Sequence, residues 1–288
     1  MKIREVIDRI LEYHPHLPDY HGCDGFKCGN PDVECTGIVT ALVPTVDVIR
    51  ETAALGANLL IVHEPTFYTS MDGAGWFEDF PNSVYEQKQK LLDQYGIVIW
   101  RDHDHMHAHQ PDGIFTGVLK YLGWDKNVTV EGSDGGFAHF LVEIPETTVG
   151  ELCEYVMKKI GMNGVRYIGD PCAKVSRLAF VGHLFPSPFV KKRADGSIIE
   201  YSVQIIKLLE ERVDVILPGE IIEWTVVSYI RDAVELGKAK AMLNMGHFNW
   251  EELGMKYAQT WISDLLEGRL PVTYVPTGDM YRFRLPEA

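Results

Sequence analysis

Residues 36–65 read TGIVTALV, then VDVIRETAALG, then NLLIV, then His63-Glu64-Pro65. Two short β-branched runs flank an amphipathic stretch that Gly56 closes. Strands joined through a helix in one sheet run parallel, and the crossover is right-handed. This is a βαβ unit, and it predicts an α/β fold. The alternation continues with SVYEQKQKLLDQYG (83–96), a helix with Ser83 as its cap and Gly96 past its end, then GIVIW (96–100), a strand, and GIFTGVLKYLG (113–123), a helix.

The middle of the chain predicts a turn at GSDGG (132–136), a strand at AHFLVEI (138–144) and a threonine-capped helix at 147–161. RLAFV (177–181) predicts a strand, and SPFVKKRADGS (187–197) a loop. The last third returns to α/β order, with strands at 213–217, 241–245 and 271–275 and helices from about Glu223 to Leu236 and from near Glu251. Composition breaks near 125 and 212 predict an outer domain in two parts, 1–125 and 213–288, with a middle domain, 126–212, inserted between them.

Open parallel sheets bind ligands just beyond the carboxyl ends of their strands. Here NLLIV is followed by His63-Glu64-Pro65, and GIVIW by Arg101-Asp102-His103-Asp104-His105-Met106-His107-Ala108-His109. VDVIL is followed by Pro218-Gly219-Glu220, with Glu223 close behind, and AMLNM by Gly246-His247-Phe248-Asn249-Trp250-Glu251. Any one of these histidines taken alone is more often a loop residue or a satisfied hydrogen-bond donor, and His247 with Glu251 reads equally as a helix cap beside a surface acid. Four strand ends delivering imidazoles and carboxylates together point to a divalent-metal site. These donors suit zinc, iron or manganese without choosing among them.

Other signals narrow the class. With 27 Lys+Arg against 41 Asp+Glu, the net charge of −14 argues against a nucleic-acid or anionic-membrane partner. No stretch reaches the ~20 apolar residues of a membrane span. The N-terminal MKIREVIDRILEYHP is interrupted by charges and reads as a surface helix, with Ile3, Val6, Ile7, Ile10 and Leu11 on one stripe, not as a signal peptide. Five scattered cysteines fit a reducing compartment, so the expected location is cytoplasmic. Cys23, Cys28 and Cys35 lack the paired CxxC spacing of a zinc knuckle and read as small loop and core residues. No phosphate-cradling GxxxxGK[ST] or GxGxxG is present.

Five blocks in order resemble the Nif-three-like proteins, also labelled GTP cyclohydrolase 1 type 2. GIVTALVPTVDVIRETAALGANLLIVHEP (37–65) is similar to the family's strand–helix–strand leading into a His-His-Pro motif, and HDHMHAHQPDGIFTGVLKYLGW (103–124) to its His-Thr-Asn-Leu-Asp segment. VRYIGDPCAKVSRLAFVGH (165–183), GEIIEWTVVSYIRDAVELG (219–237) and GHFNWEE (246–252) with PVTYVPTGDMYRF (271–283) resemble the later blocks. The resemblance implies a two-domain α/β fold with parallel or mixed sheets flanked by helices, a dinuclear metal centre and a toroidal homohexamer. Carried over position by position, it implies His63, Glu64, His107, His247 and Glu251 as ligands of two divalent ions. Glu64 stands where the family has its second His, and His107 where it has the Asp, so the set keeps three imidazoles and two carboxylates. A register shift of two would bring His105 or Asp104 to the place of His107. The family's Asp-Asn-x-Gly is Gly22-Cys23-Asp24-Gly25 here.

The function expected is metal-dependent hydrolysis of a small molecule, a nucleotide if the cyclohydrolase label holds, with Glu251, Glu220 or His103 moving protons. The other reading is a non-catalytic metal-binding ring that serves regulation or scaffolding. A metallo-β-lactamase-like reading of HDHMHAH lacks the Asp-His pair that would close that motif.

Overall fold

A computed structural model describes residues 1–73, 75–133, 138–184, 190–192 and 194–284. The chain divides into two compact units, Met1–Val118 with Glu251–Gly278, and Leu119–Trp250 with Asp279–Ala288.

The first unit contains α1 (Ile3–Tyr13), β1 (Gly25–Cys28), β2 (Ile38–Ala41), α2 (Val46–Ala54), β3 (Leu59–Val62), α3 (Ser83–Tyr95), β4 (Val98–Arg101) and the short α4 (Asp104–His107). Helix α5 (Gly113–Leu122) starts in this unit. The sheet order is β1-β4-β3-β2-β13, where β13 is Val272–Tyr274. β13, β2, β3 and β4 are parallel, and β1 runs antiparallel on the edge. Every residue of β2, β3 and β4 is buried, as continuous apolar runs require. Ile49 of α2 and Leu92 of α3 pack with Val39, Leu60 and Ile99 in one core. Thr45 caps α2 through Val48 N–H. The cap of α3 is Asn82, one residue earlier than expected, because its carbonyl reaches Tyr85 N–H. Ile3, Val6, Ile7 and Ile10 form the buried stripe of α1.

The second unit contains β5 (Val128–Ser133), β6 (Ala138–Thr148), α6 (Val149–Ile160), β7 (Arg166–Ile168), β8 (Lys174–Val181), β9 (Val190–Lys192), β10 (Ile198–Glu200) and α7 (Tyr201–Glu211). It continues with β11 (Val215–Pro218), α8 (Ser228–Glu235) and β12 (Ala241–Asn244). Its main sheet is mixed, in the order β5-β6-β8-β11-β12-β7. The expected return to the outer domain at 213 is not where the chain crosses. β11 and β12 run parallel to β8 in the second sheet, and the return falls at Glu251.

The expected loop at 187–197 holds β9, paired antiparallel with β10 around an Asp195–Ser197 turn in which Gly196 takes φ +82°. Residues 187–189 and 193 of that stretch, and 134–136 of the GSDGG turn, lie outside the described residues. The helix expected from Glu223 opens as a π-helical turn over Glu223–Val227 before α8. The helix expected near Glu251 starts four residues earlier, as α9 (His247–Leu265). No helix among the described residues is long and apolar enough to cross a membrane.

Candidate metal centre

In the first unit the ends of β3 and β4 deliver their polar residues side by side. His63 is fully buried at the end of β3, and its Nδ1 donates to the Asp102 carbonyl at 3.0 Å. That bond leaves the Nε2 lone pair of the neutral ring facing His107 Nε2 at 3.2 Å and Glu251 Oε2 at 3.5 Å. Burial holds His63 well below the ordinary imidazole value, with His103 and His107 adding to the effect and Glu251 opposing it. The ring therefore favours its uncharged form, whose Nε2 lone pair can be donated to a metal.

His107 is held by the opposite logic. Its Nδ1 lies 2.7 Å from Asp112 Oδ2, while Asp112 Oδ1 accepts the N–H groups of Ile114 and Phe115 at the start of α5. Burial pulls the imidazole down, but the charge and hydrogen bond of Asp112, with Glu251 and Glu64 adding, outweigh it and push it up to about 9. Asp112 thus fixes the ring orientation in the manner of carboxylate–histidine pairs at metal sites. Asp112 was missed in the sequence, although an Asp just before a helical run is a cap signal.

Arg101, almost fully buried, ties the His63–Glu64 turn down. Its Nε donates to the His63 carbonyl at 2.9 Å, its Nη1 to the Ser70 carbonyl at 2.6 Å, and its Nη2 stands 3.8 Å from Glu64 Oε2. Asp102 is fixed by His14 Nε2, 2.9 Å from Oδ2, while its buried Oδ1 has no hydrogen-bond partner among the described residues.

Glu251 reaches this cluster because α5 and α9 cross closely. A Cβ at Gly117 would stand 2.7 Å from Tyr257 Cβ and 2.8 Å from Gly254 Cα, and one at Gly254 would stand 2.8 Å from Ile114 Cα. The pair of glycines lets the two backbones nearly touch.

Ligand atoms of His63, Glu64 and Glu251 lie within 4.8 Å of one another, as do those of His63, His103 and His107. His103 stacks on His63 with ring centroids 4.4 Å apart. Two further groups meet the same criterion, Cys23 with His103 and Asp104, and Asp24 with Asp102 and His105. Burial pushes the Cys23 thiol up to about 12. A hydrogen bond from His103 holds Asp104 well below the usual carboxylate range against burial. The donor chemistry of the His63 cluster fits a divalent ion, with a buried imidazole, His63, and a part-exposed one, His107, each pinned at Nδ1, and with Glu251 beside His63 Nε2.

The structure places His247 and Glu220 in the second unit. His247 Nδ1 is 3.3 Å from Glu220 Oε1, and its ring meets His183 edge-on at 4.7 Å. Glu220 N–H donates to His183 Nδ1 at 2.9 Å. His183 is a neighbour that the strand-end reading passed over. His247, Glu220 and Glu223 line a cavity of about 690 Å³ together with Arg166 and Tyr281. Among the described residues, no group of three converging ligand atoms includes His247.

The chain is similar over most of its length to proteins from Clostridium perfringens and Clostridium acetobutylicum, each named GTP cyclohydrolase 1 type 2 homolog. Both are 23% identical to it, over 87% of this chain and 87% and 85% of theirs. A Staphylococcus aureus crystal structure and that of a Bacillus cereus protein related to NIF3 share the fold. Both have TM-scores of 0.70 with 99% of each chain covered, at 18% and 15% identity. The profile of Duf34/NIF3 (NGG1p interacting factor 3) matches residues 1–195. With two thirds of its length matched and its fold shared, the chain belongs to the Duf34/NIF3 family.

Proposed function

We propose that the chain is a metal-dependent hydrolase whose centre is built on His63, Glu64, His107 and Glu251 and holds two divalent ions. The observation that carries this reading is the orientation of His63, whose Nδ1 is committed to the Asp102 carbonyl while Nε2 faces His107 and Glu251. When bound, such ions supply the Lewis acidity that lets water ionise near neutral pH.

The protein's own part is to hold and position. Asp112 and the Asp102 carbonyl fix the two imidazoles, Arg101 fixes the turn that carries Glu64, and His63, Glu64 and Glu251 are buried. His103 stands beside His63 as the group to move a proton, with Glu251 as the carboxylate for the same task. The name of the clostridial relatives supports a nucleotide substrate, with purine-ring hydrolysis of GTP as the first reaction to assay. The same proposal includes a six-chain assembly.

The test is elemental analysis and mass in solution, followed by turnover of GTP and a panel of phosphoesters by zinc-, iron- and manganese-loaded protein. About two ions per chain and turnover lost in Glu251→Gln are expected. Activity indifferent to Glu251→Gln, or no turnover with any metal, would sink the hydrolase reading.

A further inference from the structure

The segment from Tyr20 to Asp24 is stitched onto the start of α4. Asp24 Oδ1 accepts the N–H groups of His103 at 2.7 Å and Asp104 at 3.0 Å, and Oδ2 accepts that of His105 at 2.9 Å. Asp104 Oδ2 accepts the Tyr20 hydroxyl at 2.7 Å and Cys23 N–H at 3.2 Å. A Cβ at Gly22 would stand 2.0 Å from that oxygen and 2.4 Å from the Tyr20 hydroxyl, so glycine is what lets the backbone close in.

The result is a second convergence of donors. Cys23 Sγ lies 3.6 Å from Asp104 Oδ1, and His103 Nδ1 lies 2.8 Å from the same oxygen. We propose that Cys23, His103 and Asp104 form a separate site for a thiophilic divalent cation, with zinc as the reference ion.

Three features support the assignment. One thiol, one imidazole and one carboxylate are a donor set for zinc or ferrous iron, not for magnesium or calcium. The two hydrogen bonds to Asp104 Oδ2 orient the carboxylate and leave Oδ1 turned to the thiol and imidazole, as outer contacts do at built metal sites. Cys23 is buried while the side chains of His103 and Asp104 are 29% and 34% exposed, so an ion has a way in and a fourth position open to solvent. On binding, the Sγ–H bond breaks, a sulfur–metal bond forms and one proton leaves to solvent, with no change of oxidation state. None of the three is among the ligands proposed for the His63 centre. Binding here would engage His103 Nδ1 and so restrict that ring as a proton carrier.

The experiment loads the full-length protein with cobalt(II) and reads the near-ultraviolet sulfur-to-cobalt charge-transfer band. The band is expected in wild type and in Cys28→Ser, weakened in Asp104→Asn and absent in Cys23→Ser, which should bind one ion fewer per chain. It is also expected in Glu251→Gln, so failure of the His63 centre and failure of this site are distinguishable. X-ray absorption on zinc-loaded wild type needs no variant and should show a sulfur shell at about 2.3 Å. No band and no sulfur shell in wild type, or a band that survives Cys23→Ser, would overturn the proposal.

Discussion

His107 and Asp112 are joined by a 2.7 Å contact from imidazole Nδ1 to carboxylate Oδ2, and the other oxygen of the same carboxylate caps α5. One side chain therefore sets both where α5 begins and how the His107 ring points. Asp112→Asn keeps the shape but removes the charge that favours a basic, oriented ring. Metal affinity is expected to fall about 10–100-fold. Competition titration against a chelator measures it, and unchanged affinity would mean that Asp112 serves only as a cap.

The close crossing of α5 and α9 at Gly117 and Gly254 predicts a coupled loss. Gly117→Ala places a Cβ against Tyr257, Gly254 and the Leu253 carbonyl at 2.7–2.8 Å, so the helices must part. Overpacking of this kind costs about 1–3 kcal/mol. Because α9 carries Glu251, metal binding is expected to weaken as well. Denaturant unfolding and metal titration on one preparation read both effects, and a variant with wild-type stability would contradict the steric argument.

Lys88 gives the fold a pH dependence away from the metal centre. Its Nζ donates to the Thr66 carbonyl at 2.6 Å, and burial lowers it to about 8 against the pull of Asp72. A lysine depressed in the folded state loses its proton before the unfolded chain does, so between about 8 and the ordinary lysine value of 10.5 the unfolded state binds more protons. Stability from this group therefore rises with pH across that window and is flat below it. The full effect is at most roughly 3 kcal/mol. Thermal melts of wild type and Lys88→Met from pH 7 to 10 should converge or cross as pH falls, and parallel curves would refute the assignment.

The regular elements that carry the site were legible locally. LLIV is wholly apolar, VIWR is polar only at its last residue, and the one polar side chain inside IVTA, Thr40, is buried with its hydroxyl on the Met255 carbonyl, so all three read as buried strands with the polar residues following them. That argument pointed to the His63-Glu64-Pro65 turn and to the 101–109 run as a whole, while the choice of His107 within the run came from the family resemblance. It did not reveal Asp112, Arg101 or Asp102 as the groups that orient them, because each acts through a backbone group or ring brought alongside by the sheet. The start of α9 was read four residues late because Gly246-His247-Phe248-Asn249 carries no helical periodicity of its own. Cys23 read as a small loop or core residue because its partners lie about eighty residues away along the chain.

Short-range patterning thus decided strands, helices and the α/β class, since burial of a strand or a helix face is written in the spacing of adjacent residues. Which strands share a sheet was beyond it: β11 follows the same local pattern as β3, yet it pairs with β8 and β12 in the other unit. Tertiary packing alone brought Glu251 to His63 through two facing glycines, and Cys23 to Asp104 through a third. Contacts of that kind depend on how closely two backbones can approach, a property of the pair that neither segment carries by itself.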